Sequence, residues 1–286
     1  MPANLEKLLA YLEVERIDKY LFVGNSPAKP KRIFGGQVLA QSLNAATRSV
    51  DEDRIAHSMH AYFLRPGDPS KQIVFEVDPI RDGRSFTTRR VVAKQDARAI
   101  FSTSISFQKA EDGLEHQATM PDVPPPEELE TDLDFYKRMS EKYPERFKTP
   151  PPQAIERRNI TRRDYLNPQP TEPVQHMWFR APEGLGDNLN QHQTVLAYIS
   201  DFGLLGAATL PHPYTGMSTD LQAASLDHAI WFHKPFRVDE YLLYTMDSTC
   251  AAGGRGFARG MFFTQSGELV ASTVQEALIR VRSGDN

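Results

Sequence analysis

The stretch HAYFLRPGDPSKQIVFEVDPIRDGRSFTTRRVVAKQDARAIFSTSISF, His60 to Phe107, has a counterpart later in the same chain. From Ala229 to Leu278 the sequence reads AIWFHKPFRVDEYLLYTMDSTCAAGGRGFARGMFFTQSGELVASTVQEAL. Phe63-Leu64-Arg65-Pro66 matches Phe232-His233-Lys234-Pro235, Gly83-Arg84-Ser85-Phe86 matches Gly254-Arg255-Gly256-Phe257, and Ser102-Thr103 matches Ser272-Thr273. The offset between copies is nearly constant, so insertions are few. Both copies are rich in Val, Ile, Phe, Tyr and Thr and are cut by Gly, Asp and Pro, which are strand and turn signals. The chain is one unit written twice.

Upstream of each copy lies a helical pattern. In GGQVLAQSLNAATRSV, Gly35 to Val50, one face carries Val38, Leu39, Leu43 and Ala46. In HQTVLAYISDFGLL, His192 to Leu205, it carries Val195, Leu196, Ile199 and Phe202. Both spacings are helical, and Val38-Leu39-Ala40 aligns with Val195-Leu196-Ala197. Each unit therefore reads as a short strand, one mostly apolar helix, then four long strands. Strands joined by short turns pair antiparallel, and the apolar face of such a sheet needs a cover, for which the helix is the candidate. A sheet wrapped around a central helix is the hot-dog arrangement. Two tandem copies predict an α+β double hot dog, with the sheets joined edge to edge to protect their strands.

Between the copies, from Pro121 to Pro173, prolines crowd together in PDVPPPEELE, KTPPPQ and NPQPTEP. Proline interrupts helix and sheet interiors, so this reads as a long connection with one short helix around Leu129 to Lys142. The expected division is an N-terminal unit over 1–110, a Pro-rich linker over 111–174 and a C-terminal unit over 175–286 carrying the catalytic residues.

The 286 residues are 40% hydrophobic with a net charge of -4, enough for a real core and without the basic balance of a nucleic-acid binder. One cysteine, Cys250, allows no intrachain disulfide. It reads as a buried structural thiol at a strand end. The start MPANLEKLLAYLEVERIDKYLF has no apolar signal-peptide core, no apolar run is long enough to span a membrane, and the last residues are not a peroxisomal address. The expectation is a cytoplasmic protein. No G-x-S-x-G elbow, P-loop or dinucleotide fingerprint occurs, and no cofactor is expected. GGRGFARG, Gly253 to Gly260, reads as a turn and the start of a strand. In HSMH, His57 and His60 would point to opposite faces of a strand, so no metal is expected either.

One copy serves as a control for the other. On the last strand, GELVASTVQEALIRV, one face carries Ala271, Thr273, Gln275, Ala277 and Ile279. Gln275 corresponds to Ile105 in the first copy, Ser225 to Ala56, and Asp201 to Asn44. The fold therefore does not require these polar groups. A buried carboxylate, hydroxyl or amide costs free energy unless it finds partners, and the economical explanation is that they partner one another, a common water or a ligand. Each also has a plainer reading. Asp201 could cap a helix beginning at Phe202, Ser225 could be an ordinary strand-start serine, and Gln275 a satisfied core glutamine.

FGGQVLAQSLNAA (Phe34–Ala46), HSMHAYFLRPGD (His57–Asp68), DGRSFTTRRV (Asp82–Val91), SLDHAIWFHKPFR (Ser225–Arg237), RGFARG (Arg255–Gly260) and ASTVQEALIR (Ala271–Arg280) together resemble the type II acyl-CoA thioesterases, the TesB-like double-hot-dog family. The resemblance covers nearly the whole chain. It implies hydrolysis of fatty acyl-CoA to free fatty acid and coenzyme A by direct water attack, with catalytic residues Asp201, Ser225 and Gln275. Some relatives carry Thr where Ser225 stands, which keeps the hydroxyl. It also implies an acyl-CoA substrate, no nucleic acid, no membrane span, and a homodimer or homotetramer. Backbone N–H groups of FGGQ, or at the start of the second helix, are candidates to hold the oxyanion. Arg65, Arg84, Arg89 and Arg90 could meet the CoA phosphates, or be solvated strand positions. Two other readings are a hot-dog enoyl-CoA hydratase or acyl dehydratase, which would use a helix His with an acid, and a non-catalytic acyl-CoA-binding protein. The second helix offers only His192, at its start, where a cap or surface role is expected.

Overall fold

The computed structural model of the chain describes residues 3–27, 32–216 and 218–282. The first half contains α1 (Leu5–Leu12), β1 (Glu15–Asp18), β2 (Leu21–Gly24), α2 (Gly35–Thr47), β3 (Ile55–Phe63), β4 (Ile73–Asp82), β5 (Phe86–Gln95) and β6 (Arg98–Gln108). A connecting stretch holds α3 (Asp132–Lys142) and β7 (Glu156–Asn159). The second half contains β8 (Val174–Arg180), α4 (Leu189–Ser200), α5 (Leu204–Thr209), β9 (Leu221–Ser225), β10 (Asp227–Phe232), β11 (Leu242–Ala252), β12 (Arg255–Thr264) and β13 (Leu269–Val281).

The strands form one continuous antiparallel sheet in the order β1-β2-β4-β5-β6-β3-β10-β13-β12-β11-β8-β7, with β9 alongside β13. Its seam is the β3–β10 pair, where Ala61 lies opposite His228 and Met59 opposite Ile230. The double hot dog is thus built as its sequence indicates, with the two sheets joined edge to edge. Two-residue turns close the β1–β2, β5–β6 and β11–β12 hairpins. Gly253 and Gly254 take φ of +59° and +73° between β11 and β12, the geometry that two-residue hairpin turns demand.

The sheet curls around two helices that cover its apolar face and pack on each other. Val38, Leu39, Leu43, Val195, Leu196 and Ile199 are all buried in one core with Phe75, Phe101, Phe107 and Phe262. The helices run antiparallel. The N-terminus of α2 meets the C-terminus of α4 at Gly36 and Asp201, and a surface cleft at the other end is lined by Asn44, Thr47 and Arg48 against Asn190 and Thr194. A Cβ on Gly36 would stand 2.3 Å from the backbone oxygen of Tyr198. Backbone cannot yield as a side chain can, so glycine here fixes the interhelical distance.

Several expectations need correction. The second helical pattern is two helices, because Gly203 at φ +92° breaks it after Ser200. Asp201 is consequently the C-cap of α4, not the N-cap of a helix starting at Phe202. The connecting stretch is not free. β7 pairs with β8 at the sheet edge, and the Pro-rich run lies on the outer face of the second sheet, where Trp178 donates its indole N–H to the Pro124 carbonyl at 3.0 Å and packs with Tyr241, Leu243 and Phe263. Cys250 is exposed rather than buried, since the end of β11 runs past the core and Thr249 to Ala252 are all exposed. A similar slip between Ala56 and Ser58 puts His57 and His60 on the same outer face, His57 against Ser106 and Phe86 and His60 against Trp231. No cluster of three or more His, Cys, Asp or Glu able to hold a metal occurs among the described residues, and no described helix is long and apolar enough to cross a membrane.

Gly36→Ala should push α2 off α4. Overpacking of this kind typically costs ~1–3 kcal/mol, and the expected lower urea midpoint with an unchanged m value is measurable by fluorescence-detected unfolding.

Candidate active site

Asp201, Ser225 and Gln275 come from three separate elements and meet at one end of the helix pair. The Ser225 hydroxyl donates to Asp201 Oδ1 at 3.2 Å. The Gln275 amide nitrogen donates to Ser225 Oγ at 2.9 Å. The backbone N–H of Gly36, in the first turn of α2, donates to Asp201 Oδ2 at 3.0 Å. Both halves of the chain therefore contribute to the cluster.

Local backbone features bring these groups together. On β13, Thr273, Gln275 and Ala277 share the buried face, so Gln275 points inward with 1% exposure. β13 pairs first with β10 and then with β9. Leu226 lies between those strands and interrupts the alternation, adding one residue as a bulge does. Ser225 and His228 can then both face Gln275 although they stand three positions apart. Asp201 projects where α4 ends, and the break at Gly203 turns the chain away behind it.

The electrostatics are set by burial. Asp201 keeps a partial opening to the surface, yet protein atoms crowd its carboxyl and displace most of its hydration. Burial pushes its pKa up to about 7, against the opposing pull of the Ser225 and Gly36 hydrogen bonds. The positive end of the α2 dipole also favours the ionised form. His228 is buried, and loss of hydration lowers it to about 4, opposed by its bond to Gln275. It is neutral at physiological pH.

A groove of about 340 Å³ leads away from the cluster. Ser225 lies at one end, and Ile33, Val38, Phe63, Ile100 and Phe101 give it apolar walls. A Cβ on Gly35 would come within 2.5 Å of Asp201 Oδ2 and 2.9 Å of the Phe63 ring, so glycine leaves the space between carboxylate and groove open. In the opposite half the equivalent positions are His192 and Gln193. Gln193 there donates its side-chain N–H at 2.8 Å to the carbonyl of Ala56, the counterpart of Ser225, so a side-chain amide stands where Gly36 has none.

The other candidates separate clearly. Arg65 borders the groove. Arg89 is neither solvated nor available to a phosphate. It is buried and bonded to Asp82, Ser49 and the Arg81 carbonyl. Arg90 pairs with Asp78 on the exposed face, and Arg84 is exposed at a turn. His192 is buried, not a surface cap. Its Nε2–H donates to the Gly186 carbonyl and its Nδ1 accepts from the Val238 N–H. Of the two oxyanion candidates, FGGQ lies at Asp201, whereas the start of α4 lies at the far end of the helix pair. Sequence reasoning passed over His228 and Ser200, which join the cluster from behind. His228 Nδ1 is 2.8 Å from Gln275 Oε1, and its Nε2 is 2.9 Å from Ser200 Oγ. The signal was present, because their counterparts in the first copy are Met59 and Leu43.

The fold and the paired helices define a double-hot-dog protein. Family models match in both halves, an acyl-CoA thioesterase N-terminal domain over residues 25–108 and an acyl-CoA thioesterase domain over residues 151–278. Acyl-coenzyme A thioesterase 8 of Homo sapiens is 40% identical, covering 98% of this chain and 92% of its own length. Acyl-CoA thioesterase 2 of Haemophilus influenzae is 39% identical, covering 96% of this chain and 98% of its own. The crystal structure of the acyl-CoA thioesterase II TesB2 of Mycobacterium marinum superposes with a TM-score of 0.80 at 42% identity, over 96% of this chain and 99% of that one. The chain belongs to the acyl-CoA thioesterase family, and is a thioester hydrolase.

A carboxylate whose pKa is raised by burial has a testable linkage. The folded state binds the Asp201 proton more tightly than the unfolded state, so stability falls as pH rises from the ordinary carboxylate range to about 7. Asp201→Asn, which carries no charge to bury, should melt higher than the native protein at pH 8. The gap should shrink as pH is lowered toward 5, and calorimetry across that range measures it.

Proposed function

We propose that the enzyme hydrolyses fatty acyl-CoA by direct attack of a water held by Asp201, Ser225 and Gln275, without a covalent intermediate. The observation that carries this reading is the hydrogen-bond chain from Gln275 Nε2 through Ser225 Oγ to Asp201 Oδ1, at the end of an apolar groove. An ionised Asp201 is a base matched to neutral pH, as general-base catalysis requires. As the water oxygen bonds to the thioester carbon, Asp201 takes its proton. The proton is returned to the coenzyme A sulfur as the C–S bond breaks. An amide nitrogen carries two protons. One binds Ser225, and the second can meet the water oxygen, fixing it for attack.

The first turn of α2 is the proposed support for the oxyanion through the N–H of Gly35, which borders the groove, since Gly36 gives its N–H to Asp201 and Gln37 to the Phe34 carbonyl. The acyl chain would follow the groove walls of Ile33, Val38, Phe63 and Phe101, with Arg65 and Arg32 at its rim suited to the CoA phosphates. A hydratase or dehydratase would need an acid–base His facing the substrate. The buried His228 instead faces inward between Gln275 and Ser200, which favours hydrolysis. The free, exposed Cys250 suits a reducing cytoplasmic setting. A homodimer or homotetramer completes the reading, as does the division at 110 and 174, although the pairing of β7 with β8 argues for an earlier start to the second unit.

Purified protein mixed with short-, medium- and long-chain acyl-CoA should release free thiol, detected with a chromogenic reagent. Asp201→Asn should lower kcat by about 10² or more, with smaller losses for Ser225→Ala and Gln275→Ala. The native rate should fall with a single-proton slope below about pH 7. Absence of thiol release for every chain length would sink the activity, and near-native rates in all three variants would sink the site.

A further inference from the structure

The chain of hydrogen bonds does not stop at Gln275. It continues inward through His228 to Ser200 at the C-terminus of α4. Gln275, His228 and Ser200 are all nearly inaccessible, at 1%, 1% and 0% exposure. Their counterparts in the first copy are Ile105, Met59 and Leu43, all buried at 0%. The fold itself is therefore satisfied by apolar side chains at each place. Buried polar groups that the fold does not need carry a cost, and nothing in the packing accounts for the imidazole.

Proton counting gives it a role. An ionised Asp201 can only accept, so Ser225 donates its single proton to Oδ1. Ser225 Oγ must then accept from the Gln275 amide nitrogen, which turns the amide oxygen inward. That oxygen needs a donor, and only the Nδ1–H tautomer of His228 supplies one. Nε2 is left as an acceptor and is met by the Ser200 hydroxyl. The opposite arrangement is also within reach, because Ser200 Oγ lies 2.9 Å from the Ala197 carbonyl as well. If Ser200 donates there, His228 donates to Ser200 and presents a bare Nδ1. The Gln275 amide then turns over, and its oxygen faces Ser225.

We propose that His228 is a positioning residue, whose Nδ1–H holds the Gln275 amide with its nitrogen toward Ser225 and the attacking water. This rests on the reading of Asp201, Ser225 and Gln275 as the hydrolytic site. Burial keeps the imidazole neutral, with one proton to place, and the ionised Asp201, acting through Ser225 and Gln275, calls for it on Nδ1. His228 touches neither water nor substrate and acts only through Gln275.

Two amide replacements test it, because they differ in reach and not in chemistry. The Asn amide reaches the Nδ1 position and can donate to Gln275, whereas the Gln amide reaches the Nε2 position and cannot. His228→Asn is expected to keep kcat within a few-fold of native. His228→Gln should lose about tenfold or more in kcat at unchanged KM, as expected for a misplaced reacting group. On a Gln275→Ala background, His228→Gln should cost nothing further, the non-additivity of residues acting as one unit. A native rate for His228→Gln while Gln275→Ala is crippled overturns this inference alone. So do equal losses in the Asn and Gln variants, or a His228→Gln loss that persists without Gln275. A fully active Gln275→Ala would overturn the hydrolytic site and this inference with it. Should His228→Gln not fold, His228→Met, the side chain of the first copy, takes its place. It donates nothing and is expected to lower kcat at unchanged KM only while Gln275 is present, and a native rate overturns the inference.

Discussion

The approach of two helix ends governs this molecule. The N-terminus of α2 comes so near the C-terminus of α4 that Gly36 has no room for a Cβ against the Tyr198 carbonyl. That contact sets how the halves sit in the shared sheet, and it places a backbone N–H on a buried carboxylate. Asp201 lies at the negative end of its own helix, an unfavourable place for an anion, and the positive end of the facing helix offsets this. Neither half alone brings these groups together. The result is a carboxyl near neutral pKa, poised between accepting a proton and giving one up.

The two copies show which parts of the sequence serve the fold. Where both copies carry apolar residues, as at Val38 and Val195, the residue belongs to the core around the helices. At Ser200, Ser225, His228 and Gln275, where only the second is polar, the residue joins the cluster. The same comparison applies to space as to polarity. Gly35 and Gly36, which crowd against Asp201 and the Tyr198 carbonyl, stand where the other half has the side chains of His192 and Gln193.

Much of this could be read before any coordinates. Periodicity and turn chemistry fixed the strands, the constancy of the offset fixed the repeat, and the polarity differences at Asp201, Ser225 and Gln275 drew together residues that are adjacent in space. The failures have specific physical causes. Cys250 lies where β11 outruns the core, and a slip in strand register, which alternation does not encode, brought His57 onto the face of His60. Helical spacing ran unbroken through a left-handed Gly203. β7 reads ERRN, with no apolar alternation, because Arg158 lies over the Tyr241 ring and Arg157 over the Phe202 ring instead of in a greasy core. His228 and Ser200 were missed because they reach Asp201 and Ser225 only through Gln275.

The difference between the two ends of the helix pair has a consequence for how such a chain can change. Two identical units related by symmetry must alter both ends together, so a residue that widens one pocket also hollows the other. Here a substitution at Ile33 or Phe101 reshapes the space beside Ser225, while the Gln193–Ala56 contact keeps its packing. Joining the copies in one polypeptide frees one end to hold the molecule together and leaves the other free to vary in what it admits.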